Sequence, residues 1–489
     1  MLNLKSVDLN KTKIETLAIP VSEDSEIQTD PLIKAVIQKA LKLKEFSAKK
    51  DEVVTLYNPP DIRVQRVILY GLGKFENLDR EALRTMAGQT VKGCIKWELA
   101  NVWLAVPAED MMKLELADVI EALLEGAYLG NHIFQKYKGE KKKKALKQIT
   151  FLVNAQAAGK YNHLCSRVAT VCEGTYLARE WVSTPSNEKT PEKFTRSIVN
   201  LAKKQRLKVQ VLNQAQLKQK KFGALLAVAA GSQSKPSMVV LEHKVTGAKK
   251  TVALVGKGVT FDSGGLNIKT GGSMSAMKSD MSGAAAVAAT LITAARLKKK
   301  ISIIGAIPIV ENMPSGKAIR PGDIIRSHAG KTIEIGNTDA EGRLILIDAM
   351  SYVLKKYKPQ LLIDLATLTG ACVVALGDKI AGVFSNDEDL AASITASGEK
   401  THERCWRMPL PDDYKELLKS DFADINNMPS SRWGGAITAA LFLAEFVGDA
   451  RWAHIDIAGP AYLKKGNAYC EPGGSGFGVR LLTELLDKI

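Results

Sequence analysis

The chain has 489 residues, 46% of them hydrophobic and 25% charged, with a formal net charge of +16. That length exceeds one ordinary hydrophobic core, so two domains with a large buried interior are expected. No uninterrupted apolar run reaches the roughly 18 residues of a membrane span, residues 1–8 lack the apolar core of a secretory leader, and the six cysteines form no C-x-x-C pair.

A soluble, cytoplasmic protein with reduced thiols and no membrane partner is the expectation from these features. In chain order, strand-like runs at 16–20, 66–70, 102–106 and 149–153 alternate with helical periodicity over 79–96 and 114–129. This predicts a smaller N-terminal α/β domain over 1–160, with the basic loop Lys141-Lys142-Lys143-Lys144 before its last strand. A helix over 162–181 leads to Thr184-Pro185-Ser186-Asn187, where proline stops it, so 161–185 reads as a linking helix and connection. From 186 to 489 a larger catalytic α/β domain is expected. Its strands at 209–212, 237–241, 251–255, 301–310, 360–365 and 453–457 alternate with helices, the pattern of a mostly parallel sheet covered by helices. The glycine-rich stretch 473–478 reads as a close-packed turn before a terminal helix.

Two segments of the second domain carry the chemistry. In Val255-Gly256-Lys257-Gly258-Val259-Thr260-Phe261-Asp262-Ser263-Gly264-Gly265, continuing through Lys269 to Asp280, lysines and aspartates punctuate a glycine-rich stretch. Lys257 stands just past an apolar, β-prone run, at the carboxyl end of a strand, where open α/β sheets place ligands. Asp280 opens the alanine-rich helix expected over 283–297, so its ordinary reading is a helix N-cap; Asp262 to Gly265 reads equally as a tight turn. About eighty residues on, Asn337-Thr338-Asp339-Ala340-Glu341-Gly342-Arg343 sets two carboxylates and a guanidinium close together after a strand-like run. Lys257, Asp262, Asp280, Asp339 and Glu341 together form a ligand set sufficient for two divalent cations. With no cysteine or histidine in either segment, the set suits manganese or magnesium as well as zinc. A lysine ligand must lose its proton to coordinate. Chemistry alone leaves a peptidase and a dinuclear phosphoesterase equally open.

These residues resemble the leucine aminopeptidase family of cytosol aminopeptidases, over roughly the later two-thirds of the chain and most specifically in the Asn-Thr-Asp-Ala-Glu-Gly-Arg block. The resemblance implies a metal-dependent aminopeptidase that releases leucine and other apolar N-terminal residues from short peptides. It implies Lys257, Asp262, Asp280 and Glu341 as ligands of a tightly held ion, and Asp262, Asp339 and Glu341 as ligands of an exchangeable one. The ions would be Mn2+ or Zn2+, with Mg2+ a further candidate at the exchangeable site. Lys269 corresponds to the lysine that polarises the scissile carbonyl, and Arg343 to the arginine that anchors a bicarbonate acting as general base. Met277, Thr367, Gly370, Ala458 and Ala461 correspond to the side-chain pocket, where the small Ala461 implies extra room. One departure is Thr270 after Lys269, where many relatives carry proline. A homohexamer is implied as well.

Other active-site patterns are missing. There is no G-x-S-x-G elbow, position 406 is tryptophan where a zincin helix needs histidine, and Gly256-Lys257-Gly258 fails the P-loop spacing. The alternative function is a DNA-binding architectural or regulatory protein on the same fold. Lys141 to Lys144, Lys218-Gln219-Lys220-Lys221 and Lys298-Lys299-Lys300 would supply its basic surface. Asp364 and Asp456, inside apolar strands, read as buried satisfied acids or as supports for the site.

Overall fold

In the computed structural model, residues 2–60, 62–108, 112–139 and 142–489 are described; Met1 and Lys141 lie outside them. Residues Met1–Cys172 with Lys465–Glu471 form one compact unit, and Glu173–Lys464 with Pro472–Ile489 form another. The first unit carries β1 (Leu2–Lys5), β2 (Ile14–Val21), β3 (Val53–Tyr57), β4 (Val64–Gly71), β5 (Asn101–Ala105) and β6 (Gln148–Leu152). They form one sheet in the order β1-β6-β5-β2-β4-β3, in which only β3 runs antiparallel to its neighbour. The four expected strands form the middle of this sheet. β1 and β3 escape the sequence reading because each is a short edge strand, only partly buried, without a clean alternation. The helix Arg80–Lys96 starts as its sequence dictates: Asp79 accepts the Ala82 N–H at 2.7 Å.

The helix expected over 162–181 is longer, Ala155–Ser183. The division between the two units falls inside it, and residues Lys465–Glu471 return to the first unit, a feature no local pattern announces.

The second unit is built on β7 (Lys208–Asn213), β8 (Ser237–His243), β9 (Thr251–Gly256), β10 (Gly258–Asp262), β11 (Ser302–Asn312), β12 (Ile324–Arg326), β13 (Thr332–Glu334), β14 (Leu361–Ala366), β15 (Ala381–Ser385), β16 (Cys405–Arg407), β17 (Ile425–Asn426) and β18 (Trp452–Asp456). Its main sheet runs β16-β15-β18-β14-β9-β11-β8-β7, with β10 paired to β11; β12, β13 and β17 form a small separate sheet. The central run from β18 through β14 and β9 to β11 is parallel, while β7, β8 and β15 pair antiparallel, so the sheet is mixed and mostly parallel.

Alternation along the central strands sorts the core into two faces. Val252 and Leu254 of β9 and Leu361, Ile363 and Leu365 of β14 pack with the alanine-rich helix Ser282–Arg296. Ala253, Val255, Leu362 and Ala366 pack with the helix Glu341–Tyr357. Helices on both faces bury the strands completely, which is why they read as continuous apolar runs. All six cysteines are buried. No helix of the described residues is long and apolar enough to cross a membrane.

Candidate metal centre

The parallel strands deliver the polar side chains at their carboxyl ends. Lys257 follows β9, Asp262 closes β10, Thr367 follows β14 and Asp456 closes β18. Glu341 opens the helix Glu341–Tyr357, where the N-terminal dipole favours a carboxylate. Asp280 lies between the 3-10 turn Ser273–Ser279 and the helix Ser282–Arg296. It is not the helix N-cap that sequence suggested: Met281 holds that position, and the Asp280 carboxylate turns to the site instead. The segment before Asp262 is likewise a strand, β10, and not only a turn.

The carboxylates of Asp262, Asp280 and Glu341 are buried, with ligand oxygens within 4.8 Å of one another. Lys257, 3% exposed, places Nζ 2.8 Å from Asp280 Oδ1, 2.8 Å from Glu341 Oε1 and 2.9 Å from Thr367 O. Lys269 Nζ stands 2.8 Å from Asp262 Oδ2 and 2.5 Å from Asp339 Oδ1, so Asp339 joins the cluster through this lysine and is less buried than the other three. Burial opposes the charge of both lysines, yet the surrounding carboxylates outweigh it and raise both above the ordinary lysine value. Asp280 is held well above the carboxylate range by burial against the pull of Lys257, and burial raises Asp339 and Glu341 too.

Side chains that the sequence reading missed lace the two motifs together. Asn312 Nδ2, at the end of β11, donates to Asp262 Oδ1 at 2.9 Å and to Thr338 O at 3.0 Å. Thr338 Oγ1 donates to Gly264 O at 2.6 Å and accepts Asn267 N at 2.9 Å. Thr338 lies inside a motif already singled out, whereas Asn312 closes a long apolar strand and carries no local signal. Two glycines are sterically required. A Cβ on Gly342 would stand 2.7 Å from Lys257 Cε, and Gly264, at φ +87°, would bring one to 2.4 Å from Asn267 O.

Asp456 supports the site and does not merely satisfy itself. Its carboxylate accepts Leu368 N, Thr369 N and Ala458 N at 3.1 Å and Thr369 Oγ1 at 2.7 Å, clamping the segment after β14. Thr367 in that segment donates Oγ1 to Asp280 at 2.6 Å. Asp364 is the other kind of acid, accepting from Trp452 Nε1 at 2.8 Å and pairing with His454 Nδ1 at 2.6 Å inside the sheet.

A cleft of about 510 Å³ is lined by Lys257, Asp262, Lys269, Asp280, Asp339 and Glu341, and also by Met277, Thr367, Gly370 and Ala458. Two anticipated residues are not on its wall. Ala461, 2% exposed, packs in the core beneath the sheet and its N–H closes a turn on Ile457 O at 3.1 Å, so its small size leaves no extra room in the cleft. Arg343 is buried beside the site: Nη1 donates to Asn427 O at 2.7 Å, the guanidinium lies 6.0 Å from the Phe442 ring centroid, and Nε has no partner. Burial lowers its pKa to about 10.

The donor set fits divalent cations. Four carboxylates against two lysines leave net negative charge in a buried place, and Asp280 Oδ2 is buried without any hydrogen-bond partner. The unpartnered Arg343 Nε likewise fits an anion acceptor.

Comparison with known proteins gives matches over both units of the chain. The cytosol aminopeptidase family, catalytic domain, matches residues 176–483, and its N-terminal domain matches residues 19–141. A probable cytosol aminopeptidase of Geobacter sp. (strain M21) is 42% identical, covering 94% of this chain and 93% of the relative. Another from Chlorobium limicola is 40% identical, covering 100% and 99%. Among solved structures, the bottromycin maturation enzyme BotP in complex with Mn aligns with a TM-score of 0.87 at 33% identity, covering 97% of this chain and 99% of that one.

Proposed function

Because the chain belongs to the cytosol aminopeptidase family, whose members are metal-dependent aminopeptidases, we propose that it is a leucyl aminopeptidase using two metal ions on short peptides. The observation that carries this reading is the buried cluster of Asp262, Asp280 and Glu341 bonded to Lys257, with Lys269 and Asp339 at its edge. Lys257, Asp262, Asp280 and Glu341 would hold the tighter ion, and Asp262, Asp339 and Glu341 the exchangeable one. Two such ions supply Lewis acidity towards a peptide carbonyl and lower the pKa of water. Manganese is the first candidate, given a relative described in complex with Mn; zinc, and magnesium at the exchangeable position, suit the same donors.

The residues of the cleft divide the remaining work. A free α-amine at the end of a peptide would offer the ions a donor beside the first carbonyl oxygen, which favours removal of the first residue. Lys269 Nζ, bonded to Asp262 and Asp339, is the cation placed to donate to the carbonyl oxygen as negative charge develops there. Asp456 holds Leu368 and Thr369 still, and with them the wall against which the first side chain lies. Met277, Thr367, Gly370 and Ala458 form that wall, and a Cβ on Gly370 would meet open space, leaving width for leucine. Arg343 Nε would anchor a bicarbonate as proton acceptor.

A cytoplasmic homohexamer acting on short peptides completes the reading. No observation favours the DNA-binding alternative, and Lys299 in one of its basic runs is buried, donating to Thr483 O at 3.0 Å. Hydrolysis of leucine amide and of N-acetyl-leucine amide, before and after chelation and Mn2+ readdition, tests the proposal. Chelator-sensitive cleavage of the free amine substrate alone is expected; inactivity towards both after metal loading would overturn it.

A further inference from the structure

A buried lysine outside the cleft bears on the same centre, and its significance rests on Asp262 and Asp280 being metal ligands. Lys189 follows the 3-10 turn Ser186–Glu188 and is 2% exposed. Its Nζ donates to Trp181 O and Lys278 O at 2.7 Å each and to Val182 O at 3.4 Å, and meets Met281 Sδ at 3.2 Å. No carboxylate of the described residues pairs with it; its partners are carbonyls and a thioether.

Burying an amine without a carboxylate is costly, and an apolar side chain of similar length would fill the space without that cost. The amine does something an apolar chain cannot, which is to join two carbonyls from separate elements. Trp181 and Val182 lie in the last turn of the helix Ala155–Ser183, whose free carbonyls favour a cation. Lys278 O belongs to the 3-10 turn Ser273–Ser279, two residues before Asp280. Three residues before Lys189, Ser186 Oγ donates to Thr260 O at 2.9 Å, in β10 and two residues before Asp262. One short segment thus ties down the backbone just ahead of each of two cluster carboxylates.

The tie at Asp280 acts on the backbone of its approach, whereas Lys257 and Thr367 hold the carboxylate itself. Residues 271–273 of the preceding loop are exposed, and Gly271 and Gly272 sit at φ +73° and +77° with open space around them. The helix Ser282–Arg296 that follows has no side-chain cap bond at its start.

We propose that the segment Ser186–Lys189 is a brace that sets the spacing of Asp262 and Asp280, with Lys189 as the positioning residue for the metal centre. The test compares wild type, Lys189→Met, Ser186→Ala and the surface control Lys203→Met in the full chain. It reads the gain in Tm on Mn2+ loading relative to chelated protein, and the rate of Mn2+ loss to excess chelator. Lys189→Met is expected to lose Mn2+ about tenfold faster or more and to forfeit about half the Tm gain, as outer residues that orient ligands do. Ser186→Ala moves the same way by less, and Lys203→Met matches wild type.

A Lys189→Met protein that melts lower in both states but keeps the wild-type gain and loss rate would show a packing role only and overturn the brace. If that variant does not fold, a wild-type rate of Mn2+ loss from Ser186→Ala overturns it equally. A wild-type protein with no Mn2+-dependent gain removes the ligand assignment itself, and the inference with it, before any variant is considered.

Discussion

Gly342→Ala probes the closest packing in the site. The new Cβ would stand 2.7 Å from Lys257 Cε and 2.8 Å from its Cδ and Nζ, where ordinary contact begins at 3.4 Å. The lysine tip must therefore withdraw by roughly 0.7 Å. Its contacts with Asp280 and Glu341, 2.8 Å each, would then lie outside the range of charge-assisted hydrogen bonds. Two such bonds are worth about 3–6 kcal/mol and alanine for glycine in a helix returns up to about 1 kcal/mol, so the metal-free protein melts lower, with the net loss still below a typical total stability of about 5–15 kcal/mol. With Lys257 displaced, metal affinity falls about 10–100-fold. Calorimetric titration of the chelated protein with Mn2+, beside thermal melts without metal, separates the two effects. A variant with wild-type Kd for Mn2+ and a raised Tm would refute the reasoning, since Lys257 would then be neither confined by Gly342 nor needed by the ion.

Lys269→Ala is expected to lower kcat by about 10²–10³ with metal content retained, whereas Asp262→Ala loses metal. Equal metal loss in both, measured by elemental analysis, contradicts that division of roles. Asp456→Asn keeps an acceptor on one side but turns an NH2 towards the donors Leu368 N, Ala458 N or Thr369, and costs about 1–3 kcal/mol of local order. A fall of about tenfold in kcat/KM with metal retained is the expected outcome; unchanged kinetics would make Asp456 a structural acid only. His328, in a ring cluster with Phe222 and Tyr352, has its imidazole pushed down to about 4 by burial and by Lys355 and Lys220. A histidine pKa below its ordinary value favours the neutral folded ring. Its contribution is therefore present above about pH 6.5 and is lost as pH falls towards about 4. His328→Phe keeps the ring stack and is expected to reduce the acid-induced stability loss by about 1 kcal/mol, allowing for the solvent that still reaches the ring. Asp348, pushed up to about 7 by burial, accepts the His328 backbone N–H in both proteins, so melts from pH 4 to 8 isolate the imidazole in their difference. Identical pH profiles would count against it.

Much of the candidate site was legible because its signals are local. A fully buried parallel strand must be apolar along its whole length, so Thr251 to Val255 announced itself and placed Lys257 at its end. Glu341, Gly342 and Arg343 sit in one motif because a helix start, a close approach and a buried guanidinium are consecutive in the chain. Less legible were elements whose identity depends on a neighbour. β10 is five residues, separated from β9 by Lys257 alone and followed by a glycine-rich turn, and is a strand only because β11 extends past β9 to pair with it. β12, β13 and β17 are two or three residues each and exist through mutual pairing.

Sequence by itself determined the chemical inventory: four carboxylates, two lysines and an arginine in two short segments, and the alternation that makes a helix-covered sheet. Tertiary structure alone decided which of them meet. Asp280 could cap a helix or join Asp262 and Glu341, and the carbonyl and hydroxyl of Thr367, held by Asp456 from a strand some ninety residues away, settle it for the cluster. Ala461 and Ala458 are three residues apart, yet one is core and the other cleft wall, because the turn after β18 points them in different directions. Side-chain direction at the end of a strand depends on packing across the sheet, and such long-range pairing leaves no periodic mark on the chain.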